Sequence, residues 1–269
     1  MTTNAHGVPA GARDPADHGR WRRLRSAVPA IYPVLAPAVR AGPGPGPLRP
    51  PACVVCRGPV RPGCARCYQC GRHAHLAPGL LADVVVPISY AVKGTALAAD
   101  LWRYKSWPVP IARARTSLLA LLVAFLHDHG GCVWPYGGMP APGRLAVVPT
   151  GCGRPGPHPL LELAAPYLRL PSTRLVIRPG CQGRELNVHR FRADPTAAGA
   201  SVLLLDDSWV SGASAQSAAA ALKLAGARHV AIVVLGRHLD PADPAAGPLT
   251  ARLTPGPYDP ARCAVHHQS

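Results

Sequence analysis

The spacing of apolar positions changes along this chain, and each change predicts an element. Val84 to Pro87 is an unbroken apolar run and predicts a first buried strand. Between Thr95 and Tyr104 the residues Leu97, Leu101 and Tyr104 recur at helical steps and so share one helix face. Ile111 to Asp128 is apolar on nearly every side, which predicts a longer, mostly buried helix. Leu145 to Pro149 predicts a short strand, His158 to Leu168 a helix, and Leu175 to Ile177 another strand. Ser201 to Leu205 then predicts a buried strand, Ala213 to Ala225 an alanine-rich helix closed by Gly226, and His229 to Leu235 a further strand. Strands alternating with helices from residue 145 onward predict an α/β fold, a parallel sheet flanked by crossover helices.

Outside that pattern the chain is poor in periodicity. Residues 1–50 end in an alternating glycine–proline stretch, Gly42 to Pro47, and read as a flexible leader with one short helix around Trp21 to Ser26. From Asp240 proline and glycine dominate again, so 239–269 read as a flexible tail. The main domain is then 79–238, preceded by a small cysteine-rich module at 51–78.

Composition adds a direction to the charge. Lysine plus arginine number 29 against 13 acidic residues, a net charge of +16, which suits a phosphate ligand, nucleic acid or an anionic surface. Only Lys93, Lys105 and Lys223 are lysines, and an arginine excess beside abundant alanine, glycine and proline also follows from coding bias, so charge does not choose among those partners. It supports at most weak, sequence-independent nucleic-acid binding. The longest apolar run, Leu118 to Leu126, is nine residues where a bilayer span needs about 20, so no membrane span is expected. The basic cluster Arg20 to Arg25 lies too late for a secretory signal and is followed by prolines, which predicts a cytoplasmic protein.

Five of the nine cysteines fall between residues 53 and 70, a density that suits a metal site in a reducing compartment. Cys53-Val-Val-Cys56 and Cys67-Tyr-Gln-Cys70 are two matched hooks ten residues apart, enough for four thiolates on one tetrahedral, structural Zn²⁺. Gly58 and Gly71 follow the hooks where the backbone must curl. Cys64 with Cys67 forms a competing hook, and His73 and His75 are substitutes in reach. Cys263, His266 and His267 in the tail are ligand types with no evident connection. The alternative is a cluster of thiols packed as small hydrophobes.

Val202 to Ser214 is the segment richest in chemistry. A wholly apolar strand ends in Asp206 and Asp207 and enters a small, hydroxyl-rich loop opening a helix. Ser211, Gly212, Ala213 and Ser214 can converge backbone N–H groups on a phosphate, and the two carboxylates can accept from vicinal sugar hydroxyls. Together they fit a ribose bearing a 5-phosphate. The alternative is a plain strand-to-helix turn capped by Ser214, with both carboxylates solvated.

Asp206 to Ser214 resembles the phosphoribosyl-pyrophosphate (PRPP) binding motif of type I phosphoribosyltransferases. With the cysteine hooks, the pair Tyr104-Lys105 after a short helix, and Asn187 and Phe191 ahead of the acidic motif, residues 51–238 resemble the ComF family of phosphoribosyltransferase-like proteins. The resemblance implies a type I phosphoribosyltransferase fold behind a zinc module. It implies PRPP with Mg²⁺ as ligand and transfer of phosphoribosyl to an acceptor with release of pyrophosphate. Asp206 and Asp207 would hold the ribose, and Ser211 to Ser214 the 5-phosphate. The loop Pro149 to Arg154, through Thr150, Gly151 and Arg154, would hold pyrophosphate, with Lys105 and Arg184 as further cations; a plain glycine turn is the alternative there. Val210 stands where the family's motif usually has threonine, which removes one hydroxyl from the phosphate cradle. The association of ComF proteins with DNA uptake implies a second reading, a non-catalytic nucleic-acid-binding module.

Overall fold

Branched and leucine-rich runs need two covered faces, and the fold supplies them. The computed structural model describes residues 15–39, 52–106, 111–150, 158–181 and 183–265. In chain order the elements are α1 (Pro15–Ile31), β1 (Ala36–Pro37), α2 (Tyr68–Leu76), β2 (Val84–Val92), α3 (Ala96–Arg103), α4 (Ala112–Tyr136), β3 (Arg144–Val147), α5 (Pro159–Leu168), β4 (Leu175–Ile177), β5 (Phe191–Ala193), β6 (Ser201–Trp209), α6 (Ala213–Leu224), β7 (His229–Leu239) and α7 (Gly247–Thr250). The sheet has the order β1-β2-β7-β6-β3. Its last four members are parallel, with Val84, Ala231, Leu203 and Leu145 in one row, and β1 alone is antiparallel, Ala36 facing Tyr90. The chain is therefore an α/β protein with a mostly parallel five-strand sheet flanked by helices, as the alternation predicts.

Period-two alternation divides the sheet's side chains between two cores. Leu203, Leu205, Val233 and Leu235 face a layer of α1, α3, α4 and α5. Val202, Leu204, Val230, Ile232 and Val234 face α6, the β4–β5 hairpin and the cysteine-rich segment. In α3 the predicted face is the buried one, with Leu97, Leu101 and Tyr104 all covered.

Three expectations are corrected by long-range packing. Residues 15–39 of the expected leader hold α1 and β1, and Trp21 and Val28 enter the core, Trp21 meeting Tyr167 edge to face at 6.0 Å. The expected tail is likewise anchored as far as residue 265: Leu35 and Gly256 exchange backbone hydrogen bonds, and Ala246, Leu249, Ala264 and Val265 are buried. A high proline and glycine content hid these few apolar anchors. The remainder of the leader, 1–14 and 40–50, lies outside the described residues. Helix α4 runs eight residues beyond the predicted Asp128, to Tyr136, because buried Val133 and Trp134 override Gly130 and Gly131. At that length it is long and apolar enough to cross a bilayer, contrary to the estimate from unbroken runs. Here its apolar surface is covered by the protein itself: every residue from Leu118 to Leu126 is buried.

Candidate functional site

Strand β6 continues through the two carboxylates to Trp209, so Asp206 and Asp207 lie within the strand and not beyond its end. Asp207 shares the side of Leu203 and Leu205 and is buried against the end of α3. There the Tyr104 hydroxyl and the Lys105 ammonium each donate to its Oδ2 at 2.5 Å. Burial alone would raise the Asp207 carboxyl, but Lys105 and Tyr104 reverse this and hold it below the usual carboxylate value. Asp206 is pushed the other way, well above its ordinary value, first by burial and then by the neighbouring Asp207 charge. Opposed proton affinities on adjacent carboxyls make the pair a candidate site, although structural ion pairs shift carboxyls in the same way.

The following loop turns sharply. Gly212 has φ of +80°, a conformation favouring glycine, and caps α6. A Cβ there would stand 2.0 Å from Trp209 Cζ2, so the indole fills the space beneath the turn. Ser211 Oγ accepts from the Ala213 N–H at 3.3 Å. Ser214 Oγ accepts from Arg190 Nη1 at 3.1 Å, and Ser217 Oγ from the Asn187 N–H at 2.9 Å. Ser211 to Ser214 thus form the mouth of α6, where first-turn N–H groups have no partner within the helix.

Of the other predicted groups, Phe191 is buried beneath the Arg190 guanidinium, 5.2 Å from it to the ring centroid. Asn187 and Arg184 are exposed. Thr150 lines a cavity of about 500 Å³ with Val147, Pro149, His158, Thr173 and Arg174. That cavity opens at the carboxyl end of β3, whose Val147 pairs with Leu205 just before the acidic residues. Ligands of open α/β sheets bind at this end of the strands. Gly151 and Arg154 of the expected pyrophosphate loop lie outside the described residues. Sequence reasoning missed the Tyr104–Asp207–Lys105 contact and the reach of Arg190 to Ser214. The first joins residues more than 100 positions apart. The second has no signal among so many arginines.

The cysteine hooks do meet. Cys53, Cys56, Cys67 and Cys70 bring their sulfurs within 4.8 Å of one another, a group that could hold a metal such as zinc. Cys56 and Cys67 Sγ are 3.7 Å apart. A tetrahedral zinc with bonds of about 2.3 Å to sulfur sets edges of about 3.8 Å. The Gly58 N–H points at Cys56 Sγ and the Val55 N–H at Cys53 Sγ, both at 3.4 Å, as the curl after the first hook requires. The second hook is built differently: Cys67 is the N-cap of α2, Cys70 lies in its first turn, and the Gly71 N–H is used within the helix, on Cys67 O at 3.0 Å. Cys64 is exposed and stands outside the group, and His73 is buried but not among the ligand atoms. Donation from Cys56, Cys67 and Cys70 pulls the Cys53 thiol down, while Cys67 and Cys70, as donors to their neighbours, are pushed up. Four thiolates cannot share this space without a cation.

The module is locked to the site-bearing strands. Tyr90 of β2 donates to the Arg57 carbonyl at 2.7 Å, and Arg237 of β7 donates to the Trp209 carbonyl at 3.0 Å while packing on Gly58, where a Cβ would come within 2.4 Å of its guanidinium. Compared with models of known protein families and with curated proteins, the chain matches none.

Proposed function

We propose that the protein binds PRPP through the β6–α6 segment and transfers its phosphoribosyl group to an acceptor, releasing pyrophosphate, as its resemblance to ComF-type phosphoribosyltransferases implies. The observation that carries this reading is the continuous run from half-buried Asp206 and buried Asp207 into the left-handed Gly212 turn at the mouth of a helix, at the carboxyl end of a parallel sheet. In this reading Asp206 and Asp207 hold the ribose hydroxyls, Asp207 as the carboxylate, and the N–H groups of Ser211 to Ser214 take the 5-phosphate. Thr150 lines the cavity at β3, and the loop it opens is the one that would take pyrophosphate. Lys105, at the same sheet end, sets positive charge where the leaving group departs. Mg²⁺ would accompany PRPP, and the four-cysteine group would hold a structural Zn²⁺ in a reducing, cytoplasmic setting.

A thermal-shift screen with PRPP, ribose 5-phosphate and single-stranded DNA, each with and without Mg²⁺, tests the reading. Stabilisation by PRPP, greater with Mg²⁺ than without and greater than by ribose 5-phosphate, is the expected result. Stabilisation by DNA alone, persisting at physiological salt, would transfer the argument to a nucleic-acid-binding module carried by the net charge of +16.

A further inference from the structure

The second half of α4 carries His129 and Cys132 one turn apart, and the chain returns after α7 to lay Cys263 against them. We propose that His129, Cys132 and Cys263 form a second metal site, for a divalent cation of borderline softness such as Zn²⁺, which straps the C-terminal segment to α4. The three ligand atoms lie within 4.8 Å of one another. Cys132 and Cys263 Sγ are 3.6 Å apart, and Cys132 Sγ is 3.8 Å from His129 Nδ1. Bonds of about 2.3 Å to sulfur and about 2.0 Å to nitrogen set tetrahedral edges of about 3.8 Å between sulfurs and about 3.5 Å between sulfur and nitrogen. The sulfur pair is therefore spaced like Cys56 and Cys67 at 3.7 Å, and far from the roughly 2.05 Å of a disulfide.

His129 is covered by the protein and the two cysteines are half-buried, with the Phe125 ring tilted against the imidazole at 5.2 Å. Two thiols and an imidazole are the donor set of Zn²⁺ sites, and a hard cation such as Mg²⁺ would be disfavoured by sulfur. Three protein ligands leave one coordination position for water or another ligand. Other contacts tie α1 and the segment after α7 to the same part of the fold: Arg25 and Tyr258 meet Asp128 at 2.7 and 3.0 Å, and Leu35 bridges Gly256. Metal there adds a cross-link between residues 132 and 263 that composition alone does not supply.

The test is zinc content of the full chain, purified with zinc in the medium and passed over a weak chelating resin. Wild type should retain two zinc per chain, and Cys263→Ala, Cys132→Ser and His129→Gln one each. Cys263→Ala alters only the segment after α7, so it serves if changes within α4 disturb folding, which circular dichroism reports. Cobalt substitution should give thiolate-to-cobalt absorption that falls in Cys263→Ala. One zinc in wild type, two zinc retained in Cys263→Ala, or a Cys132–Cys263 disulfide in anaerobically purified protein would each overturn the proposal.

Discussion

Replacing Tyr104 by phenylalanine removes one hydroxyl and keeps the ring that α3 buries. The bond lost is a 2.5 Å O–H donation to the carboxylate of Asp207, whose side chain is only 7% exposed. Hydrogen bonds to charged groups contribute about 1.5 to 3 kcal/mol. The Lys105 contact stays in place, but its ammonium is 35% exposed and screened by water, so it offsets only part of the loss. A cost of about 2 kcal/mol is the result, and at roughly 2 to 4 °C per kcal/mol for a chain of this size Tm should fall by about 4 to 8 °C. The sign of the pH dependence follows from Asp207 lying below its ordinary value in the folded state. Its contribution is complete above the unfolded carboxyl value of about 3.9 and is lost as pH falls through the lower folded value. Urea unfolding of wild type and Tyr104→Phe should therefore show a constant gap from pH 6 to pH 8, within a window of roughly two pH units, and a shrinking gap below about pH 3.9. A gap under about 0.5 kcal/mol at neutral pH, or one that persists undiminished in acid, would refute the reasoning.

Three further outcomes follow from the same geometry. Asp206→Asn should stabilise the ligand-free protein relative to wild type, increasingly as pH rises from about 3.9 through the raised folded value of Asp206, because a carboxyl whose pKa is raised on folding loses stability over that interval; chemical unfolding across pH measures it. Gly212→Val would drive a branched side chain into the Trp209 indole at φ of +80° and should cost more than about 2 kcal/mol and abolish PRPP binding, read by Tm and calorimetry. Cys70→Ser should release the metal of the four-cysteine group and unfold the module, whereas Cys64→Ser should leave metal content unchanged.

Local signals were legible and long-range ones were not. Leu97, Leu101 and Tyr104 reveal α3 because helical periodicity is a property of ten consecutive residues. The cysteine spacing identifies four sulfurs that converge because two short hooks can reach one point. The extension of β6 past Leu205 is invisible locally, since two carboxylates argue against a buried strand until Tyr104 and Lys105 arrive to neutralise one of them. Strands β2 and β7 are longer than their apolar runs for a similar reason: pairing through Val92 and Leu239 carries Ser89 and Arg237 along. Helix α2 was masked by the hook that opens it. Cys263 reads as an isolated tail cysteine because its neighbours lie on α4, more than 130 residues away.

The central claim is that β6 and the mouth of α6 hold PRPP, and calorimetric titration of PRPP with Mg²⁺ into wild type and Asp206→Ala/Asp207→Ala tests it most directly. Each charge-assisted hydrogen bond lost should cost about 1.5 to 3 kcal/mol, roughly tenfold to a hundredfold in affinity per residue. Circular dichroism of the double variant serves as the folding control. Wild type should bind, and the double variant should bind at least a hundredfold more weakly. No binding by wild type at millimolar PRPP, or equal binding by a folded double variant, would contradict the account.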